Sequence, residues 1–247
     1  MRLATGVNEA SDVCALPGDR FLAVSDVAGA AGIVALGGQT ASVPLEQLTR
    51  APSGLEGVAY NEARKLLVVS SEEARTLHVY DWDALSTTAP HLQRVVTVPL
   101  GGKANKGVEG LASLPAHLSP TGRDQLLLVK EGDPRMLALL EADGTGTLQR
   151  IQVDPRAEEA CTDFSGVAVD PLTGHVWICS DETGRAAELK LVLAGGAWHA
   201  ELVSEPLELK DADGQPLQRV EGLAFSSEGD LFVLTENERV LHHLARQ

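Results

Sequence analysis

The 247-residue chain is short of aromatic side chains, cysteine and basic charge, and each shortage excludes something. Phe, Trp and Tyr number 4, 3 and 2, so aliphatic side chains and alanine must build the core. The cysteines are Cys14, Cys161 and Cys179. An odd count with no CxxC spacing excludes a disulfide framework and a cysteine zinc site, and leaves buried free thiols. No apolar run approaches the roughly 20 residues that span a bilayer. Residues 1–6 lack the apolar stretch of a secretory signal, so the expected location is cytoplasmic, or periplasmic or secreted if a leader has been removed. Lys and Arg total 20 against 35 Asp and Glu, a formal charge of -15. That deficit excludes a nucleic-acid partner, which needs a basic surface, and an anionic membrane surface. The acidic surplus reads as a solvated surface, or more sharply as a cation site.

Hydrophobic residues at 44% and charged residues at 22% are ordinary for a globular protein. The 24 Gly and 12 Pro imply many turns and short strands. Helical periodicity is weak; residues 45–50 and 83–86 are the candidates for a single helical turn.

A repeated phrase dominates the chain. Leu55-Glu56-Gly57-Val58-Ala59-Tyr60 returns as Val108-Glu109-Gly110-Leu111-Ala112-Ser113, as Phe164-Ser165-Gly166-Val167-Ala168-Val169 and as Val220-Glu221-Gly222-Leu223-Ala224-Phe225, with a degenerate copy at Ala10-Ser11-Asp12-Val13-Cys14-Ala15. Each copy is followed by a turn and a second apolar run, such as Leu66-Leu67-Val68-Val69-Ser70-Ser71 or Leu231-Phe232-Val233-Leu234-Thr235-Glu236. A third, alternating run follows, such as Thr76-Leu77-His78-Val79-Tyr80, and a fourth lies between copies, such as Leu148-Gln149-Arg150-Ile151-Gln152-Val153. Four short strands recurring about every 50 residues are the signature of a propeller blade. The expected fold is therefore all-β: a five-bladed β-propeller of four-stranded antiparallel blades, one domain over residues 1–247. Residues 2–5 are expected to close the ring by adding the outer strand of the last blade, which removes two sheet edges. A β-sandwich is the alternative fold, and it leaves the five copies unexplained.

The pattern inside a copy has a physical reason. The first strand lies nearest the axis, where blades crowd, and so carries Gly and then Ala on one face. The second strand is covered on both faces by neighbouring blades and so is apolar throughout.

These residues resemble the SdiA-regulated family of bacterial propellers. The likeness rests on Leu55-Glu56-Gly57-Val58-Ala59-Tyr60, on Asp163-Phe164-Ser165-Gly166-Val167-Ala168-Val169-Asp170, and on Arg219-Val220-Glu221-Gly222-Leu223-Ala224-Phe225 with the run Leu231-Phe232-Val233-Leu234-Thr235-Glu236 after it. It runs across nearly the whole chain. More distant likenesses are to phytase-like esterase and NHL-repeat propellers. The resemblance implies a five-bladed propeller with a bound calcium ion and no assigned activity. The chain departs from the pattern at Ser11-Asp12, which replaces Glu-Gly, and at Ser165, which replaces Glu.

In a propeller, the loop entering the first strand and the loop leaving the second share one face. The first loop type carries Glu56, Glu109, Asp163, Ser165 and Glu221; the second carries Asp26, Glu72, Glu131, Asp181 and Glu236. Converging carboxylates must be protonated, pair with bases or bind a cation, and hard oxygen donors suit calcium. For any one Glu, accepting backbone N–H bonds within its own loop serves equally; recurrence favours the cation. The expected metal ligands are Glu56, Glu109 and Glu221, with Ser165 and Asp12 completing the ring. Lys130 and Arg135 are expected near this face, paired with its acids or holding an anionic substrate. The seven His show no HExxH spacing, and there is no GxSxG, Walker A or Rossmann pattern. Asp211-Ala212-Asp213-Gly214 reads as a hairpin turn rather than an EF-hand loop.

Three functions compete. One is a calcium-binding propeller that takes a small-molecule or protein ligand at the channel mouth. Another is a metal-assisted hydrolase of an ester, lactone or phosphoester, with Asp181 and Glu131 as acid–base candidates. The last is an interaction domain whose carboxylates only stitch loops.

Overall fold

The computed structural model describes residues 2–5, 7–26, 31–36, 40–42, 54–102, 106–132, 134–236 and 240–244. A short strand β1 (Arg2–Ala4) precedes a four-stranded antiparallel sheet of β2 (Ala10–Leu16), β3 (Arg20–Ser25), β4 (Ala31–Ala35) and β5 (Thr40–Ser42). A second four-stranded sheet contains β6 (Leu55–Asn61), β7 (Leu66–Ser71), β8 (Thr76–Asp81) and β9 (His91–Thr97). Next come β10 (Gly110–Leu114), β11 (Gln125–Lys130), β12 (Met136–Glu141) and β13 (Gln149–Val153), the helix α1 (Pro155–Ala160), then β14 (Gly166–Val169), β15 (Val176–Ser180), β16 (Arg185–Ala194), β17 (Ala197–Leu202) and β18 (Leu207–Glu208). The last strands, β19 (Val220–Phe225), β20 (Leu231–Thr235) and β21 (Val240–Leu244), form a four-stranded sheet with β1.

The pairing of β1 with β21 sets Arg2 opposite His242 and Ala4 opposite Val240, so one sheet is built from strands far apart in sequence. Strands β10 to β18 form one continuous nine-stranded sheet, because β13 pairs in parallel with β17, Ile151 opposite Trp198. That register joins two outer edges that would otherwise stand open.

The strands nearest the axis are β2, β6, β10, β14 and β19. Each packs on the next, and β19 packs on β2, so the ring closes. A sandwich of two facing sheets has no such ring; this is a β-propeller. The glycines of the repeated phrase make the approach possible. A Cβ on Gly110 would stand 2.9 Å from Gly166 Cα, and one on Gly222 would stand 2.8 Å from Asp12 Oδ1. The second strands β7, β11 and β20 are buried along their whole length, whereas the outer strand β9 is exposed at most positions. The hydrophobic clusters lie between neighbouring sheets and between the two halves of the nine-stranded sheet. Leu22 and Val24 of one sheet pack with Leu67, Val69 and Tyr80 of the next, and Phe21 meets Phe232 across the closing interface with ring centroids 4.5 Å apart.

All three cysteines are buried and free. Asp211 accepts the N–H groups of Asp213 and Gln215 at 2.9 and 2.8 Å, so this segment is the hairpin turn expected. Residues 83–86 make a turn, not a helix, with Asp83 accepting the Leu85 N–H at 3.1 Å. Residues 45–50 lie outside the described residues. The helix α1 is a feature that the apolar patterning does not reveal. Asp154 caps it by accepting the Arg156 N–H at 2.9 Å, and Pro155 starts it, the usual chemistry of a helix N-terminus.

Candidate cation site at the channel mouth

Three of the inner strands begin with an irregularity of the same kind. The β-ladder shifts between Leu55 and Gly57, between Val220 and Gly222, and between Ala10 and Asp12. The bulged residues are therefore Glu56, Glu221 and Ser11, the second position of the repeated phrase. A β-bulge re-aims the side chain at a sheet end, which explains why the phrase keeps a polar residue there, followed by glycine in every copy except the first, which has Asp12. At the other two inner strands, Glu109 and Ser165 precede β10 and β14, where their N–H groups bond Val129 and Cys179 carbonyls at 3.0 and 3.1 Å.

The carboxyl groups crowd. Burial first, and then Asp26, Glu72 and Glu131, push the Glu56 carboxyl up to about 8. Burial and the neighbours Glu56, Glu72, Glu131 and Glu221 push Glu109 up to about 9. Burial, Asp181, Glu236 and Glu56 push Glu221 up to about 8. The inner glutamates and the acids at the second-strand ends therefore share one mouth.

The tightest group is not the one that rotational symmetry suggests. Glu72, at the end of β7, Glu109, before β10, and Glu131, at the end of β11, each offer an oxygen within 4.8 Å of the others. Glu109 Oε1 is buried without a hydrogen-bond partner. Glu72 accepts the Gly107 N–H at 3.2 Å, and Lys106 donates its ammonium to Glu131. Across the mouth, Arg219 lies 3.6 Å from Asp181 and 3.7 Å from Glu236. Burial nonetheless holds the Asp181 carboxyl above its ordinary range, with Arg219 opposing that rise.

A family model for the SdiA-regulated proteins matches residues 19–241. The chain belongs to the SdiA-regulated family. No curated protein matches the sequence. Among solved structures, the PQQ-bound aldose sugar dehydrogenase of Streptomyces coelicolor superposes with a TM-score of 0.61 at 15% identity, over 100% of this chain and 97% of that one. The glutaminyl cyclase of Myxococcus xanthus gives 0.60 at 13% identity, over 98% and 93%. At such identities these neighbours speak to the fold alone.

The remaining residues singled out in this SdiA-regulated chain sort themselves by contact. Ser165 donates its hydroxyl to the Val220 carbonyl at 2.6 Å, a stitch between adjacent sheets. Asp12 is fully buried on the axis. Its Oδ2 accepts the N–H groups of Val58 and Leu111 at 2.8 and 3.2 Å, while Oδ1 has no partner. Burial drives its pKa far up. Lys130 donates to the Gly132 and Pro134 carbonyls. Arg135 donates to the Glu158 and Cys161 carbonyls at 2.7 and 2.5 Å and lies 5.5 Å from the Phe164 ring centroid; it ties down the end of α1. Among the described residues, Lys106 and Arg219 are the cations paired with the acidic mouth. A cavity of about 820 Å³ opens at the other end of the channel, among the turns at Pro17, Asn61, Ala116, Pro171 and Ser227. None of the clustered acids lines it. Among the described residues, no helix is long and apolar enough to cross a membrane.

Proposed function

We propose that the protein is a single-domain propeller of five four-stranded blades that holds a calcium ion at the acidic mouth of its channel and presents that mouth to a small-molecule or protein ligand. The nine-stranded sheet is then two blades joined edge to edge. The observation that carries the cation is the cluster of Glu72, Glu109 and Glu131, with one buried carboxylate oxygen of Glu109 lacking any partner. The donors fit calcium: they are hard oxygens in irregular array, which calcium accepts and magnesium, with its strict octahedron, does not. Glu56 and Glu221 add negative potential around it once they ionise, which a bound cation favours. Asp12, whose Oδ2 accepts N–H groups from two neighbouring inner strands, and Ser165, whose hydroxyl bonds the Val220 carbonyl, then serve as architecture beneath the site rather than as ligands. A cation that binds only the folded protein adds stability by mass action.

Calorimetry on EDTA-stripped protein tests the reading. Calcium should bind, and Glu109→Gln should weaken binding about tenfold or more, ~1.4 kcal/mol. Glu221→Gln should weaken it less, because Glu221 lies outside the cluster. No binding to the wild type sinks the proposal; equal losses in the two variants restore the symmetric ring of Glu56, Glu109 and Glu221.

The hydrolase reading ranks second. It is favoured by the burial that holds the Asp181 carboxyl above its ordinary range, a trait of general acids. It is disfavoured by the separation of the two candidates into different ionic groups, Asp181 with Arg219 and Glu131 with Lys106.

A further inference from the structure

We propose that Lys106 is a tethered competitor for the cation site: its ammonium sits within the Glu72, Glu109 and Glu131 cluster and must swing out before a divalent cation can engage Glu131. The inference rests on the calcium reading above and adds to it a residue that no repeat pattern marks.

Three contacts carry it. The Lys106 ammonium is hydrogen-bonded to Glu131 Oε1. The next residue, Gly107, donates its N–H to Glu72 Oε1 at 3.2 Å. Its backbone lies so close to Glu72 that a Cβ at position 107 would stand 2.6 Å from Glu72 Cγ and 2.9 Å from the Glu72 carbonyl oxygen. The segment is thus held by its backbone on one carboxylate of the cluster while its side chain reaches a second. The third carboxylate, Glu109, keeps its Oε1 buried and unpartnered. One ammonium against three carboxyl groups leaves the cluster acidic and incompletely bonded.

The chemistry of lysine suits a displaceable occupant. Its ammonium is a compact point charge on a flexible stem, unlike the rigid fork of arginine. The Lys106 side chain is 33% exposed, so it has solvent to move into. A divalent cation gains oxygens from all three carboxylates, but first breaks a charge-assisted hydrogen bond. Its apparent affinity is therefore lower than the affinity of the same carboxylates without the lysine, just as binding to a fractionally populated competent state is weakened by that fraction.

The test is calcium titration by calorimetry of the full chain, stripped with EDTA, for wild type, Lys106→Met and Lys106→Arg. Removal of the ammonium should tighten calcium binding about tenfold, whereas the arginine variant, which keeps the charge, should stay within about threefold of wild type. Lys106→Gln provides the same comparison if the methionine variant fails to fold. Wild type that binds calcium, with Lys106→Met binding it no more tightly, overturns the competition and leaves the calcium site standing. Absence of calcium binding in all three proteins refutes the calcium reading and the competition with it.

Discussion

Replacing Asp12 with alanine should destabilise the protein by about 3 kcal/mol, and replacing it with asparagine should barely matter. Asp12 stands where the other copies of the phrase have Gly57, Gly110, Gly166 and Gly222. Its side chain therefore occupies the narrowest part of the ring, 2.8 Å from where a Cβ on Gly222 would be. An inner strand is the edge of its sheet, so its outward N–H groups have no ladder partner. Asp12 Oδ2 satisfies two of them, on Val58 of β6 and Leu111 of β10, and ties β2 to both. Alanine leaves both N–H groups buried and unpaired, at about 1–3 kcal/mol each. The gain from no longer burying a carboxyl offsets part of this, which brings the net to about 3 kcal/mol. For a chain of this length that is a fall in Tm of roughly 6–12 °C.

Asparagine separates this explanation from a simple cavity. Burial drives the Asp12 carboxyl toward its neutral form, and a neutral acid and a primary amide have the same shape and one carbonyl oxygen each. Asp12→Asn should therefore keep both acceptor bonds and melt within about 3 °C of wild type. The assay is urea denaturation followed by circular dichroism, with the m-value checked for two-state behaviour. If Asp12→Ala is as stable as wild type, or if asparagine costs as much as alanine, the two hydrogen bonds do not hold the ring and the reasoning fails.

Two further outcomes follow from packing and charge. Gly110→Ala should cost more than about 2 kcal/mol, because its Cβ would meet the backbone of Gly166 and Val167 at 2.9 and 3.1 Å; Gly122→Ala, with open space around it but φ at 65°, should cost about 1 kcal/mol, and similar denaturation midpoints would contradict the crowded-axis model. In EDTA, stability should fall as pH rises from 6 to 8.5: Glu56, Glu109 and Glu221 bind protons in the folded state up to about 8, 9 and 8 but lose them near 4.5 when unfolded, so their stabilisation is full below the unfolded value and disappears through the folded one. A net difference of one proton across that span amounts to about 3 kcal/mol, and saturating calcium should flatten the profile; a stability that rises with pH in EDTA would refute the buried-carboxyl cluster.

The parts of this fold that could be read from sequence are those set by a local rule repeated in every copy. Crowding at the axis demands Gly110 and Gly166, and burial on both faces demands runs such as Leu126 to Val129. The role of residues 2–4 as a partner of β21 followed from counting unpaired edges. What escaped was set by contacts between copies. The parallel register of β13 on β17 depends on two outer edges meeting, and nothing within either strand specifies its partner. The helix α1 is six residues long, too short for a periodic stripe. Glu72 and Glu131 were identifiable as acids of the correct face. Their grouping with Glu109, to the exclusion of Glu56 and Glu221, is a contact between copies that no single copy specifies. Lys106 and Gly107 lie outside the repeat, so periodicity had no access to them.

A repeat predicts a ring, yet the chemistry of this mouth is one-sided, and the reason is where the symmetry breaks. Each copy of the repeat supplies an acid at the end of its second strand: Asp26, Glu72, Glu131, Asp181 and Glu236. On one side Arg219 spans Asp181 and Glu236 from a backbone held at φ 54°, so two of the five are matched by a guanidinium that cannot lose its proton. Two blades have also surrendered the inner glutamate, to Ser11 and Ser165, and Ser165 spends its hydroxyl on the Val220 carbonyl. The acids are therefore concentrated at Glu72, Glu109 and Glu131, where, among the described residues, the ammonium of Lys106 is set against them. Arg219 against two acids on one side and Lys106 against a cluster of three on the other give the mouth a direction. A ligand that bridges a bound metal ion and the protein surface would meet the cation site off the axis, beside the segment that carries Lys106 and Gly107, rather than centred over the channel.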